Sequence, residues 1–156
     1  KRLETMRRAE GNSLTAEMNV ILGRISSRAK EIEALLVQVR PAFARHLAER
    51  LQDLLSDVPI DPARLAQEAA LLAERSDVSE ELARLRSHVE QFQKLLAGVG
   101  ETGKKLDFLL QEMQREANTL LSKTPGVEAE GLAITGLALE VKSDIEKLRE
   151  QAQNVE

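Results

Sequence analysis

Cysteine, tryptophan and tyrosine are absent from this 156-residue chain, and its only aromatic residues are Phe43, Phe92 and Phe108. The missing cysteines exclude disulfides and thiolate chemistry, and they suit the cytoplasm, where thiols stay reduced. The shortage of aromatics argues against reading single-stranded bases by stacking, so that any nucleic acid would be recognised by backbone and shape. No apolar run nears membrane-spanning length and no signal peptide is visible, so the chain reads as soluble. Lys and Arg total 22 against 26 Asp and Glu, and this net charge of −4 argues against broad electrostatic capture of nucleic acid. A nucleic-acid contact would have to be a local patch.

What is present is helical periodicity. Hydrophobic residues make up 42% of the chain, enough for one domain with a real core, and no segment alternates as a strand would. Leu14, Met18, Ile21, Ile25, Ile32, Val39, Phe43, Leu47, Leu51 and Leu54 form one stripe, predicting a long helical arm over residues 1–56. Gly11 and Asn12 are expected to mark its frayed start, and Pro41 to kink it or begin a second helix. Such an arm would expose much apolar surface unless a partner covered it, which favours assembly. The segment DVPIDP breaks the pattern, with Asp61 as N-cap and Pro62 as first residue of a helix to Arg75. Asp77 or Ser79 can cap the next helix, Glu80 completing an Asp-x-x-Glu box.

That helix carries Leu82, Leu85, Val89, Phe92, Leu95 and Leu96 and stops at Gly98 and Gly100. Thr102 can open the following one, and Pro125 with Gly126 reads as a loop. The last segment, 125–156, spaces Ile134, Ala138, Val141, Ile145, Leu148, Ala152 and Val155 as a coiled-coil-like seam, a period that more often marks packing in a bundle than a free dimer. The fold class is all-α: helical arms with a central hairpin, residues 57–124, and a terminal coiled-coil-like helix. Because the chain lacks an initiating Met and begins in charged helical sequence, it is expected to be the end of a longer protein whose amino-terminal domain is absent.

The richest segment is Gly103–Lys123. Leu106, Leu109, Leu110, Met113, Ala117, Leu120 and Leu121 make its apolar face, while Glu112 and Glu116 share another face beside Arg115. Two adjacent carboxylates suggest a cation or phosphate site. Gly98–Lys105, GVGETGKK, matches most of a phosphate-binding P-loop, but a P-loop follows a buried strand and here helical periodicity precedes it. Lys105 also stands where Ser or Thr should hold magnesium. An inter-helix turn is the better reading, and no nucleotide triphosphate is expected. Lys104 and Lys105 at a helix start can still meet a phosphate.

A second polar group, Asp77, Glu80, Glu81, Arg84, Arg86 and His88, lies on the preceding helix, with Glu81, Arg84 and His88 on one face. An exposed face of Glu–Arg pairs is the plain alternative, and His46 on the arm suits a solvated surface role. A short turn makes the two helices pack antiparallel. Counting outward from it sets His88 level with Glu112, and Glu116 opposite Arg84 or Glu81. His88, Glu112 and Glu116 are thus the best candidate ligands, with Glu81 next and Glu68 a further acid. Mixed nitrogen and oxygen donors suit Mn²⁺, and carboxylate with water suits Mg²⁺.

The strings LDFLLQEMQREANTLLSK, RLAQEAALLAERSDVSEELARLRSHVEQF and EKLREQAQNVE resemble the carboxy-terminal domain of the bacterial YicC family, closely over Arg64–Lys123 and clearly over Ser143–Glu156. The resemblance implies a metal-dependent endoribonuclease assembled as a hexamer with a clamp-like opening, RNA being its substrate. On that reading His88, Glu112 and Glu116 are catalytic, a divalent ion activates water toward the phosphodiester, and Arg84, Lys104, Lys105, Arg115 and Lys123 hold RNA phosphates. His88 could instead act without metal as general base toward a 2′-hydroxyl, although the leaving oxygen would need another acid. The alternative is a noncatalytic oligomerisation or RNA-adaptor domain whose polar row forms interface salt bridges.

Overall fold

The computed structural model describes residues 2–98, 103–124 and 129–154, with side chains from residue 4 and, after the last gap, from residue 131. The expectations placed on Gly100, Thr102, Pro125, Gly126 and Val155 lie outside these residues. The fold is all-α, with no strand among the described residues: α1 Arg2–Leu54, α2 Pro62–Arg75, α3 Ser79–Ala97, α4 Gly103–Lys123 and α5 Ala129–Gln153.

The α1 stripe builds one wall of the core. Met18, Leu22, Ile25 and Ile32 are wholly buried, and Leu35, Leu36 and Val39 continue the contact half-buried. Neither residue expected to interrupt the helix ends it. Gly11 lies inside the helix, where a side chain would meet nothing within 4 Å, so no close approach requires a break and the helix begins earlier than its sequence suggests. Pro41 is also inside α1 and starts no second helix. The carbonyl it cannot serve belongs to Val37, whose side chain is 69% exposed, so water can satisfy that turn.

Residues α1 presents to α5, α3 and α2 are covered within the chain. Much of the arm's apolar surface is therefore buried without a second subunit, which removes the main argument by which the sequence favoured assembly. Leu54, expected in the stripe, is 79% exposed. The α2 helix folds back along α1 after the DVPIDP break. Its start is capped by Asp61, whose side chain accepts from the Ala63 amide at 3.2 Å, with Pro62 as first helical residue.

The α3 start differs from a capping box. Asp77 Oδ1 accepts from the Ser79 amide at 3.0 Å and from the Ser79 hydroxyl at 2.6 Å, while Glu80 turns away to Arg84 at 2.6 Å. Arg40 of α1 donates to the same Asp77 oxygen at 2.5 Å, fastening α1 to this helix start. Partial burial would raise the Asp77 carboxyl, but the Ser79 hydrogen bonds and Arg40 outweigh it and hold it below its ordinary value.

Helices α1, α3, α4 and α5 form a ring in which each neighbour runs antiparallel. Arg86 meets Glu33 at 2.9 Å near the middle of α3, whereas Arg40, farther along α1, meets the α3 start. Phe92, Met113, Leu120, Ile134, Ile145 and Leu148 are wholly or almost wholly buried between them. The heptad-spaced seam of α5 is thus spent inside its own bundle, as short heptad runs commonly are. No described helix is long and apolar enough to cross a membrane.

Two ionic clasps cross the ring. Asp144 of α5, 3% exposed, accepts from Arg24 Nη2 at 3.0 Å and from Arg28, which also meets Glu140 at 2.6 Å. Glu81 of α3, also 3% exposed, accepts from Lys123 Nζ of α4 at 2.5 Å. Burial raises the Glu81 carboxyl, yet the Lys123 hydrogen bond, the backbone amide and the charges of Lys123 and Arg84 bring it below its ordinary value.

Phe92→Ala should lower the unfolding free energy by about 3–5 kcal/mol, and Asp144→Asn by about 1–3 kcal/mol because two part-exposed arginines lose their charged acceptor, both read by urea denaturation. Glu81 and Asp77 titrate below their ordinary values of 4.5 and 3.8 in the folded state. Their stabilisation is full above those values and lost as the pH falls through the lower folded-state values. Stability should therefore drop in that acid range, and Glu81→Gln should flatten the drop; an unchanged pH profile in that variant would contradict the assignment.

Candidate metal centre

Antiparallel packing of α3 on α4 sets which polar groups meet. Lys123 near the α4 end pairs with Glu81 near the α3 start, and Arg84 Nε, one turn on, donates to Glu116 Oε1 at 2.8 Å. Another turn along α3 brings His88 to the same pair of helices. A ligand atom from each of His88, Glu112 and Glu116 lies within 4.8 Å of the others.

Burial and hydrogen bonding differ sharply among the three. Both ring nitrogens of His88 are shielded from solvent, and neither has a hydrogen-bond partner. Leaving such polar atoms unpaired costs on the order of 1–3 kcal/mol, which a bound cation or water would offset. Glu116 is 4% exposed and held by Arg84, whereas Glu112 is half-buried and makes no ion pair among the described residues. One imidazole and two carboxylates on facing helices form a donor set that an oxygen- and nitrogen-seeking divalent cation fits.

Other anticipated site residues stand differently. Glu81 is outside the three-residue group: Lys123 occupies one oxygen, while Oε2 is buried and unpartnered. Glu68 is exposed on α2, which packs on α1, so the fold does not bring it to the cluster. Arg84 and Lys123, expected to meet phosphate, are engaged by acids of their own chain. Arg84 spans Glu80 at 2.6 Å, Glu116 at 2.8 Å and Glu81 at 3.6 Å, and these acids raise its pKa above the ordinary value, the Glu116 hydrogen bond most. Lys104, Lys105 and Arg115 carry no ion pair among the described residues and are exposed. His46, half-buried on α1, is remote in sequence and element from the cluster.

Gly98 follows the helix α3, not a strand, which is the wrong context for a P-loop; residues 99–102 of that motif lie outside the described residues. Arg149 is a residue that no sequence pattern singled out. It faces a polar groove between α4 and α5 with Gln111, Gln114, Arg115, Asn118 and Ser122, and Gln114 Oε1 there is buried and unpartnered. The visible signal was the amide-rich face of α4, but nothing in the sequence says which face α5 would lean against.

Residues 30–156 match the family model described as "Endoribonuclease YicC-like, C-terminal". Over 156 residues the chain is 38% identical to a Clostridioides difficile (strain 630) protein named "Probable endoribonuclease YicC", an alignment covering 99% of this chain and 52% of that protein. It is 42% identical over 153 residues to the Haemophilus influenzae (strain ATCC 51907 / DSM 11121 / KW20 / Rd) protein of the same name, covering 97% of this chain and 50% of that one. The chain spans about half the length of the curated relatives it matches. With the family model matched over most of its length, this chain belongs to the YicC-like family, in the part that forms the carboxy-terminal domain.

Proposed function

We propose that this chain is the metal-binding, RNA-cleaving part of an endoribonuclease, with His88, Glu112 and Glu116 holding a divalent ion. The observation that carries the reading is the pair of shielded, unpartnered nitrogens on His88 beside two carboxylates. The names of the relatives supply the reaction class, and the donor set supports Mn²⁺ or Mg²⁺ as the ion. Such an ion, when bound, lowers the pKa of water and neutralises charge developing on phosphoryl oxygens.

The chain's own residues divide the remaining work. Arg84 orients the Glu116 carboxylate through its 2.8 Å bond and balances its charge. Glu112, half-buried and free of ion pairs among the described residues, keeps an oxygen for the cation or for a proton. Lys104, Lys105 and Arg115, exposed on α4, supply the positive charge that holds a phosphate backbone against a net charge of −4. A metal-free general-base role for His88 is less well supported, because no third group fixes its tautomer. RNA as partner, a hexameric assembly and a cytoplasmic location belong to the same reading.

The test is cleavage of labelled single-stranded and structured RNA by the intact protein with EDTA, Mg²⁺ or Mn²⁺, beside folded and correctly assembled His88→Ala and Glu112→Ala variants. Cutting should require metal and fall in both variants by about 100- to 1,000-fold, the scale of losing one group that stabilises transition-state charge. Undiminished cutting would remove these residues from the chemistry, and no cutting by wild type under any condition would favour the adaptor reading.

A further inference from the structure

The three phenylalanines have separate fates. Phe92 is wholly buried and Phe43 half-buried, but Phe108 is 58% exposed on α4. The shortage of aromatics speaks against a stacking surface of many rings, but one exposed ring can still stack one base where its surroundings attract a phosphate backbone, and those of Phe108 are specific. Phe108 lines a groove between α3 and α4 together with Gln91, Lys94, Leu95, Lys104 and Lys105. None of those three lysines makes an ion pair among the described residues, and the groove contains no acid.

The groove lies one helical turn along α3 and α4 from the candidate metal centre. Phe108 lies four residues before Glu112 and Gln91 three after His88, so both are one helical turn from the cluster, on the same faces. At 1.5 Å rise per residue, Phe108 is offset from Glu112 by about 6 Å and Lys105 by about 10 Å along α4. A flexible polyanion with flat bases can thread this order: a phosphate at the cluster, the adjoining base on an aromatic face, the next phosphates at ammonium groups.

We propose that the α3–α4 groove is a single-stranded RNA subsite in which Phe108 stacks the base next to the phosphate at the His88–Glu112–Glu116 cluster, with Lys94, Lys104 and Lys105 holding the phosphates beyond it. The inference rests on the endoribonuclease reading and adds the substrate class that this site takes. A base paired in a duplex keeps its face covered by neighbours, so Phe108 selects unpaired strands. The three lysines give the local charge that the acidic chain as a whole lacks.

The experiment measures binding of a 2-aminopurine-containing single-stranded oligoribonucleotide and of its duplex to the intact protein in Ca²⁺ without turnover, for wild type, Phe108→Leu, Phe108→Trp and Lys94→Gln/Lys105→Gln. Light scattering follows assembly of each variant, and Mn²⁺ titration follows the metal centre. Phe108→Leu should weaken single-strand binding by about 5- to 150-fold, the range for losing one stacked base, and abolish 2-aminopurine quenching, while Mn²⁺ binding and duplex binding stay unchanged. Phe108→Trp should restore both signals, and the double lysine variant should reduce the salt slope by about 1.4. Single-strand binding that is unchanged in Phe108→Leu would overturn the subsite and leave the endoribonuclease reading standing. Loss of assembly in Phe108→Leu would overturn it in favour of a protein interface. No wild-type affinity for RNA would overturn both.

Discussion

Antiparallel packing of α3 on α4 is the constraint from which the polar chemistry follows, because the two helices share one buried stripe and cannot slide without exposing it. Leu85, Val89 and Phe92 on α3 and Leu110, Met113 and Leu120 on α4 are at most 1% exposed. Helical side chains recur every three or four residues, so a register that buries these residues also decides which polar neighbours face each other. Lys123 falls to Glu81, Arg84 to Glu116, and His88 to Glu112 and Glu116. Slipping α4 by one turn would separate all these pairs at once.

Charge is then distributed unevenly along this seam. At the α3 start the acids are matched: Glu81 has Lys123, and Glu116 shares Arg84 with Glu80. Farther along, His88 has no partner and Glu112 has no ion pair among the described residues. Farther still come lysines that line a groove whose wall holds no acid. The seam therefore passes from neutralised to unsatisfied to basic, and a cation at its middle would complete the part whose polar atoms are unpaired.

Much of this was readable from residue spacing. The α2 helix from Pro62 to Arg75 and the apolar faces of α3 and α4 follow from three- and four-residue periods and clear breaks. Grouping His88 with Glu112 and Glu116 followed from a short turn and a count outward along two helices. Local signals misled where tertiary packing was stronger. Gly11 and Pro41 read as a helix start and a break or kink, yet both lie inside α1, whose burial from Met18 to Ile32 supplies stabilisation that propensity alone does not show. The acids around Arg84, expected as a phosphate contact, were not legible, because a sequence does not reveal that Glu80 and Glu116 converge on its guanidinium. Phe108 was visible as the residue four before Glu112, but its exposure depended on how far α3 covers α4.

Anomalous diffraction at the manganese edge from crystals of the intact protein grown with Mn²⁺ tests the central claim most directly. The account predicts one peak bounded by the His88 imidazole and the Glu112 and Glu116 carboxylates, each within direct coordination distance of the ion. A peak elsewhere, or none at these residues in protein that cleaves RNA with Mn²⁺, would contradict it.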